Sequence, residues 1–123
     1  MKITVRATAL AVAIGAGTAF AQDTQPAAPA KVVTKTLVQS EAQKECFKLV
    51  SSQVLYYRFK SDAPVDFKLS HQEEKEIVHI ARSRVADGAG NFVSKKTSDY
   101  CLVWTNVGET SATLHYEIQR ALQ

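Results

Sequence analysis

An all-β protein, an antiparallel β-sandwich of jelly-roll type held by one disulfide, is the fold this sequence predicts. Three observations carry it. Apolar and polar residues alternate with period two through much of the second half of the chain. Runs rich in Val, Ile, Tyr and Phe recur about every ten residues between polar turn signals. The chain has two cysteines, Cys46 and Cys101. With 123 residues, 46% hydrophobic and 22% charged, it suits one domain with one core. A two-lobed enzyme with a cleft between domains is excluded on length.

The N-terminal segment comes first. Lys2 and Arg6 precede an Ala-rich apolar run from Ala7 to Phe20, which ends in Ala19-Phe20-Ala21. Residues 1–21 are therefore expected to be a secretory signal peptide, because roughly 14 apolar residues fall short of the ~20 a membrane span needs. Cleavage after Ala21 would leave a mature chain from Gln22, placed in the periplasm or secreted. The formal net charge of +3 then falls close to neutrality, since the segment carries two cations and no acid. A nearly neutral exported domain lacks the positive field that binds phosphate backbones, so nucleic acid is not an expected partner. No membrane span is expected in the mature chain.

Residues 22–42 read as a flexible N-terminal arm. Gln22 to Ala30 holds two of the three prolines and no large apolar side chain. Lys31 to Val38 mixes Val and Thr with Lys, and whether it is a leading strand or more of the arm is open. The sandwich domain is expected over 43–123. Leu37 to Val50 has a competing helical spacing at Val38, Ala42, Cys46 and Leu49, although Cys46 to Val50 reads equally well as a strand.

Beyond this point alternation takes over. Leu55, Tyr57 and Phe59 alternate with Tyr56, Arg58 and Lys60; after Asp62-Ala63-Pro64, Val65, Phe67 and Leu69 alternate with Asp66, Lys68 and Ser70. This predicts two half-buried strands joined by a short turn. Ile77 to Val85 is a further strand, and Asp87-Gly88-Ala89-Gly90-Asn91 is expected to be a hairpin loop whose glycines take positive φ, with Phe92 and Val93 starting the return strand. Tyr100 to Thr105 reads as a central strand, Val107 to Thr110 as a turn. Thr113 to Gln119 closes the domain with Leu114, Tyr116 and Ile118 on one face and His115 and Glu117 on the other.

In an oxidising exported compartment an even pair of cysteines means one disulfide, Cys46 to Cys101. A loop of about 55 positions corresponds to about 4 kcal/mol in the chain-entropy model. Their spacing is not that of a Cys-x-x-Cys redox pair.

Several segments together resemble the GOLD (Golgi dynamics) domain, the lumenal β-sandwich of cargo receptors of the early secretory pathway, also found in bacterial exported proteins. Glu45-Cys46-Phe47 is similar to its Cys-bearing first strand. Leu55 to Phe59 followed by Val65 to Leu69 is similar to its adjacent strand pair, Tyr100 through Trp104-Thr105-Asn106 resembles its Tyr … aromatic-Ser/Thr-Asn signature, and Leu114 to Ile118 its final strand. In those receptors the second cysteine lies two residues nearer the Asn, a shift that keeps the strand face. The resemblance covers about residues 43–119. It implies a bacterial exported GOLD-like domain, the same disulfide, and a general habit of binding other proteins.

Candidate chemistry is sparse. His71, His79 and His115, near Glu73, Glu74 and Glu76, have ligand types suited to zinc or copper, but no His-x-x-x-His spacing joins them; they are read as polar residues on solvent faces and in a Ser70 to Glu76 loop, and neither metal nor cofactor is expected. No nucleophile motif and no phosphate loop is present, so an enzyme is not expected. Tyr56, Arg58, Lys60 and Lys68 share the outward parity, interrupted by Asp66, and form a candidate basic binding face. The expected function is a non-enzymatic module docking another exported or cell-envelope protein, acidic in character, through this face or a strand edge; an anionic glycan would suit the same face. The alternative is a periplasmic carrier of a small ligand, glycan or metal ion.

Overall fold

The computed structural model describes residues 29–121. Residues 1–21, expected to be a signal peptide, and residues 22–28 and 122–123 lie outside the described residues. Six strands follow in order, β1 (Lys31–Leu37), β2 (Ala42–Leu49), β3 (Val54–Gln72), β4 (Glu76–Val93), β5 (Ser98–Asn106) and β6 (Ala112–Arg120). All pairings are antiparallel, and the all-β fold read from the alternation holds.

The arm expected over 22–42 is corrected within its second half. Lys31–Leu37 is a strand paired residue by residue with β6, from Lys31 opposite Ile118 to Leu37 opposite Ala112. Its last residue, Leu37, is wholly buried. The segment 42–49 is β2, not a helix, because its alternate residues Gln43, Glu45 and Phe47 face inward beside β5.

The expected two strands around Asp62-Ala63-Pro64 are one strand of 19 residues. Its first half pairs with β6 up to Ser61 opposite Leu114, and its second half pairs with β5 from Val65 opposite Asn106. On the other side β4 runs along both halves, with a break in register between Lys60 opposite Asp87 and Val65 opposite Val85. The turn signal therefore marks a bulged bend where β3 changes partner. Proline fits there because it has no N–H to donate to a ladder. The bend is held by side chains, with the Thr113 amide donating to Asp62 Oδ1 at 2.7 Å.

Because β3 serves both β6 and β5, the sheet order β1-β6-β3-β5-β2 curls back on itself, with β4 attached to β3 alone. The four-residue turn between β1 and β2 brings the two ends of that path together, and Lys31 Nζ meets Glu45 Oε2 across the gap at 2.5 Å. Buried Asn106 secures the turn: its side-chain amide donates to Leu37 O at 3.0 Å and Thr110 O at 2.9 Å.

The core fills the curl. Phe59 and Phe67, from the two halves of β3, lie 4.8 Å apart between ring centroids; Phe67 meets Trp104 at 5.6 Å, and Trp104 stacks on Tyr116 at 4.2 Å. The residues predicted to fill the core, Leu55, Phe59, Val65, Phe67 and Leu69, are buried, while Tyr57 is partly buried against them. A fully buried side chain of this size contributes about 1.5–3 kcal/mol. Trp104 Nε1 is buried with no hydrogen-bond partner among the described residues.

The Gly-rich segment is corrected as well. Asp87 to Asn91 belongs to β4, and no described glycine has positive φ. The glycines are there for close approach. A Cβ on Gly88 would stand 2.6 Å from the Phe59 ring, and one on Gly90 2.9 Å from the Tyr57 hydroxyl. Phe92 and Val93 end the same strand, and β5, which follows, pairs with β3 and β2 rather than returning along β4.

Candidate functional site

Cys46 and Cys101 sit directly opposite one another on β2 and β5 and are bonded, S–S 2.07 Å. The bridge fastens edge strand β2 to the sheet, and Cys46 is exposed on the outer surface.

The four residues of the expected basic face do not stay together. Tyr56, Arg58 and Lys60 lie on the first half of β3, facing outward opposite Gln119, Glu117 and His115 of β6. Lys68 lies past the bend, opposite Val103 of β5. Their charge is also largely spent. Arg58 grips Glu117 Oε1 through Nη2 at 2.7 Å and Nε at 2.8 Å. Lys68 Nζ meets Glu76 Oε2 at 2.9 Å, and Ser70 Oγ donates to the same oxygen at 2.9 Å. The Lys68 and Ser70 contacts hold the Glu76 carboxyl below its usual range. Alternation placed these side chains outward correctly, but it could not show that neighbouring strands supply matching carboxylates. Lys60 has no carboxylate within ion-pair distance among the described residues.

Two shallow grooves flank the Arg58–Glu117 pair. One, of about 420 Å³, is bordered by Val32, Lys60 and His115; the other, of about 340 Å³, by Tyr56, Tyr57 and Gln119. His115 Nδ1 is 2.7 Å from Thr34 Oγ1.

Beside this face runs β4, which pairs with β3 only. None of its 18 residues is buried. Its register with β3 breaks at three places, and at one of them Arg84 has φ 53°, its amide donates to Asp66 Oδ1 at 2.9 Å, and its guanidinium donates to Val107 O at 3.1 Å. Such a bulge twists an edge and limits indiscriminate pairing. Beyond it, Ala86 to Asn91 carries only small or short side chains.

The histidines also divide. His115 stays with Thr34, whereas His71 and His79 meet at the closed end of the β3–β4 hairpin. His71, buried, has Nδ1 2.7 Å from His79 Nε2 and Nε2 2.7 Å from Glu73 Oε2. This corrects the reading of His71 as a polar residue of a Ser70 to Glu76 loop, since it is a buried residue near the end of β3. Lys96 Nζ joins the same Glu73 oxygen at 2.6 Å, and together the Lys96 and His71 hydrogen bonds hold the Glu73 carboxyl down at about 2. Desolvation, then His71 and Lys95, lower the affinity of His79 for a proton. Their meeting depends on strand register: the hairpin closes at residues 73–75 with His71 opposite Ile77, and a register break between Leu69 and Ser70 makes His79 the extra residue on β4 between Val78 and Ile80. Among the described residues, no set of three or more His, Cys, Asp or Glu side chains is arranged to hold a metal ion. No helix among them is long and apolar enough to cross a membrane.

A second polar cluster closes the gap between β1 and β2. Tyr116 Oη donates to Glu45 Oε1 at 2.7 Å and accepts from Gln43 Nε2 at 3.0 Å. Burial and the neighbouring carboxylate push the Tyr116 phenol up to about 12. Burial would raise Glu45, but the Lys31 and Tyr116 contacts outweigh it and its carboxyl lies below the usual range.

Comparison with known proteins ties these features to a fold and to nothing narrower. No family model matches the sequence, and no curated protein resembles it. Among solved structures, the chain is similar to a mitogen derived from Yersinia pseudotuberculosis, with a TM-score of 0.52 at 10% identity over 77% of this chain and 86% of that one. At that identity the likeness extends to the all-β architecture alone.

Proposed function

We propose that this protein is a non-enzymatic binding module, exported to the periplasm or secreted, that docks an extended segment of another exported protein onto the free edge of β4. The observation that carries this reading is the exposed strand itself, 18 residues long and paired on one side only among the described residues. An added strand gains main-chain hydrogen bonds there, and alternate side chains supply selectivity. Low side chains from Ala86 to Asn91 leave such a segment within reach of the Tyr56 and Lys60 row. The export signal expected over residues 1–21 and the Cys46–Cys101 bridge are compatible with an oxidising compartment. Pairing of Arg58 and Lys68 with carboxylates shifts the reading from a broadly basic face toward the strand edge. A second reading, a carrier of a small ligand or anionic glycan, is favoured by the groove beside Lys60 and His115.

Photo-crosslinking separates the two. A crosslinking residue placed at Ala89 on β4 should trap one discrete protein from the producing cell's envelope extract, and one placed at Thr34 should not. Trapping from Thr34 but not from Ala89 would exclude docking on the β4 edge.

A further inference from the structure

The most unusual constellation in the molecule is the Glu73–His71–His79 chain, and its protons can be counted from its geometry. Glu73 Oε2 accepts from Lys96, and as a carboxylate it can only accept from His71 as well, so His71 Nε2 carries a hydrogen. In a neutral imidazole the other nitrogen is then a bare acceptor. His71 Nδ1 must therefore receive a hydrogen from His79 Nε2, 2.7 Å away. That fixes His79 with Nε2 protonated and Nδ1 bare, on a strand where the residue is exposed. One further proton can enter at His79 Nδ1 without disturbing either hydrogen bond. A second cannot, because it would set two N–H groups head to head between two cations at 2.7 Å.

We propose that Glu73, His71 and His79 form a proton-counting clasp, which keeps the end of the β3–β4 hairpin shut with no or one added proton and releases it with two. The clasp ties the two strands next to the turn, where the last pairs are His71 opposite Ile77 and Gln72 opposite Glu76. The charged and titratable groups facing it are Glu73 from the turn, Lys95 and Lys96 from the β4–β5 connection, and Tyr100 of β5. The Tyr100 hydroxyl is occupied as a donor to Lys96 O at 2.7 Å. The lysines oppose added positive charge, and Glu73 is the sole counter-charge named among these groups. Tyr100 packs on His71 at 5.0 Å and Phe92 on His79 at 4.9 Å; buried His71 is kept from water on its side of the contact, while His79 stays open to solvent. Release loosens the opening residues of β4 while β5, β6 and the core keep their own partners. The device acts on the isolated protein, independently of what docks on β4.

The test is imidazole nitrogen NMR of the mature protein with amide hydrogen exchange from pH 7.5 to 4. At pH 7.5 both rings should show Nε2–H and bare Nδ1. Acidification should produce two steps, and only the second should bring a rise in exchange of at least tenfold, after correction for intrinsic rates, confined to residues 72–80. His79→Gln keeps an N–H donor for His71 Nδ1 but removes the proton-accepting nitrogen, so its exchange in this segment should not take the second step. A hydrogen on His71 Nδ1 at pH 7.5, or acid opening of His79→Gln at the wild-type midpoint, would overturn the proposal. Should His79→Gln be open already at pH 7.5, the tautomers and stepwise exchange of the wild type decide the matter alone.

Discussion

Replacing Gly88 with alanine puts the two accounts of the Gly-rich segment in direct opposition. If the segment were a hairpin loop, Gly88 and Gly90 would be needed for positive φ, and alanine at either would cost similarly. In the structure neither has positive φ, and each lies beneath an aromatic ring. The new Cβ at Gly88 would sit 2.6 Å from Phe59 Cε1 and 2.7 Å from Cζ. That ring cannot simply swing aside, because it packs at 4.8 Å on Phe67 and 5.9 Å on Trp104 inside the core. Overpacking of this kind costs about 1–3 kcal/mol, and the lower entropy of the unfolded alanine chain returns about 0.4–1 kcal/mol. The net expectation for Gly88→Ala is a loss of about 1–2 kcal/mol, or about 4–15 °C in Tm for a domain of this size. At Gly90 the contact is with the hydroxyl tip of the partly buried Tyr57, which can shift, so Gly90→Ala should stay within about 1 kcal/mol of wild type. Urea denaturation followed by circular dichroism measures both, and Gly88→Ala with Phe59→Leu should recover part of the loss. Equal losses at the two glycines, or none at Gly88, would refute the close-approach argument.

Phe67→Ala removes the ring that touches Tyr57, Phe59 and Trp104, and should lower unfolding stability by about 3–5 kcal/mol in the same assay. Thiol labelling of the unfolded, unreduced protein should find no free cysteine, and replacing Cys46 and Cys101 by serine should cost about 4 kcal/mol if loop closure dominates. Reversing Arg58, Lys60 and Lys68 to Glu should leave a cooperative transition, because each cation lies at the surface and contributes about 0–1 kcal/mol; an unfolded triple variant would contradict the register. Stability should also fall with acid in two windows. His79 has its proton affinity lowered by folding, so its contribution is present above its ordinary 6.5 and is lost as pH drops through its lower folded value; Glu73 contributes above 4.5 and is lost toward about 2. A thermal-melt series across pH 8 to 2 that stays flat down to pH 4.5 would remove the His79 contribution.

Much of this architecture was legible in the chain because a strand records its two faces in its own residues. Leu55, Phe59, Val65, Phe67, Leu69, Leu114, Tyr116 and Ile118 announce the core by period two, and all are buried. Two cysteines in a chain expected to be exported left one pairing, and it is the pairing observed. Tertiary structure decided what depends on partners far along the chain. Asp62-Ala63-Pro64 has the composition of a turn, yet it is only a bulged bend within one strand, because β6 and β5, about forty to fifty residues away, take over from one another there. Gly88 and Gly90 look like a loop until Phe59 and Tyr57 are seen to lie over them. Likewise the outward parity of Arg58 and Lys68 is local, whereas their neutralisation by Glu117 and Glu76, and the meeting of His71 with His79, depend on strand register. Alternation is a property of one strand; register, bends and charge pairing are properties of the sheet.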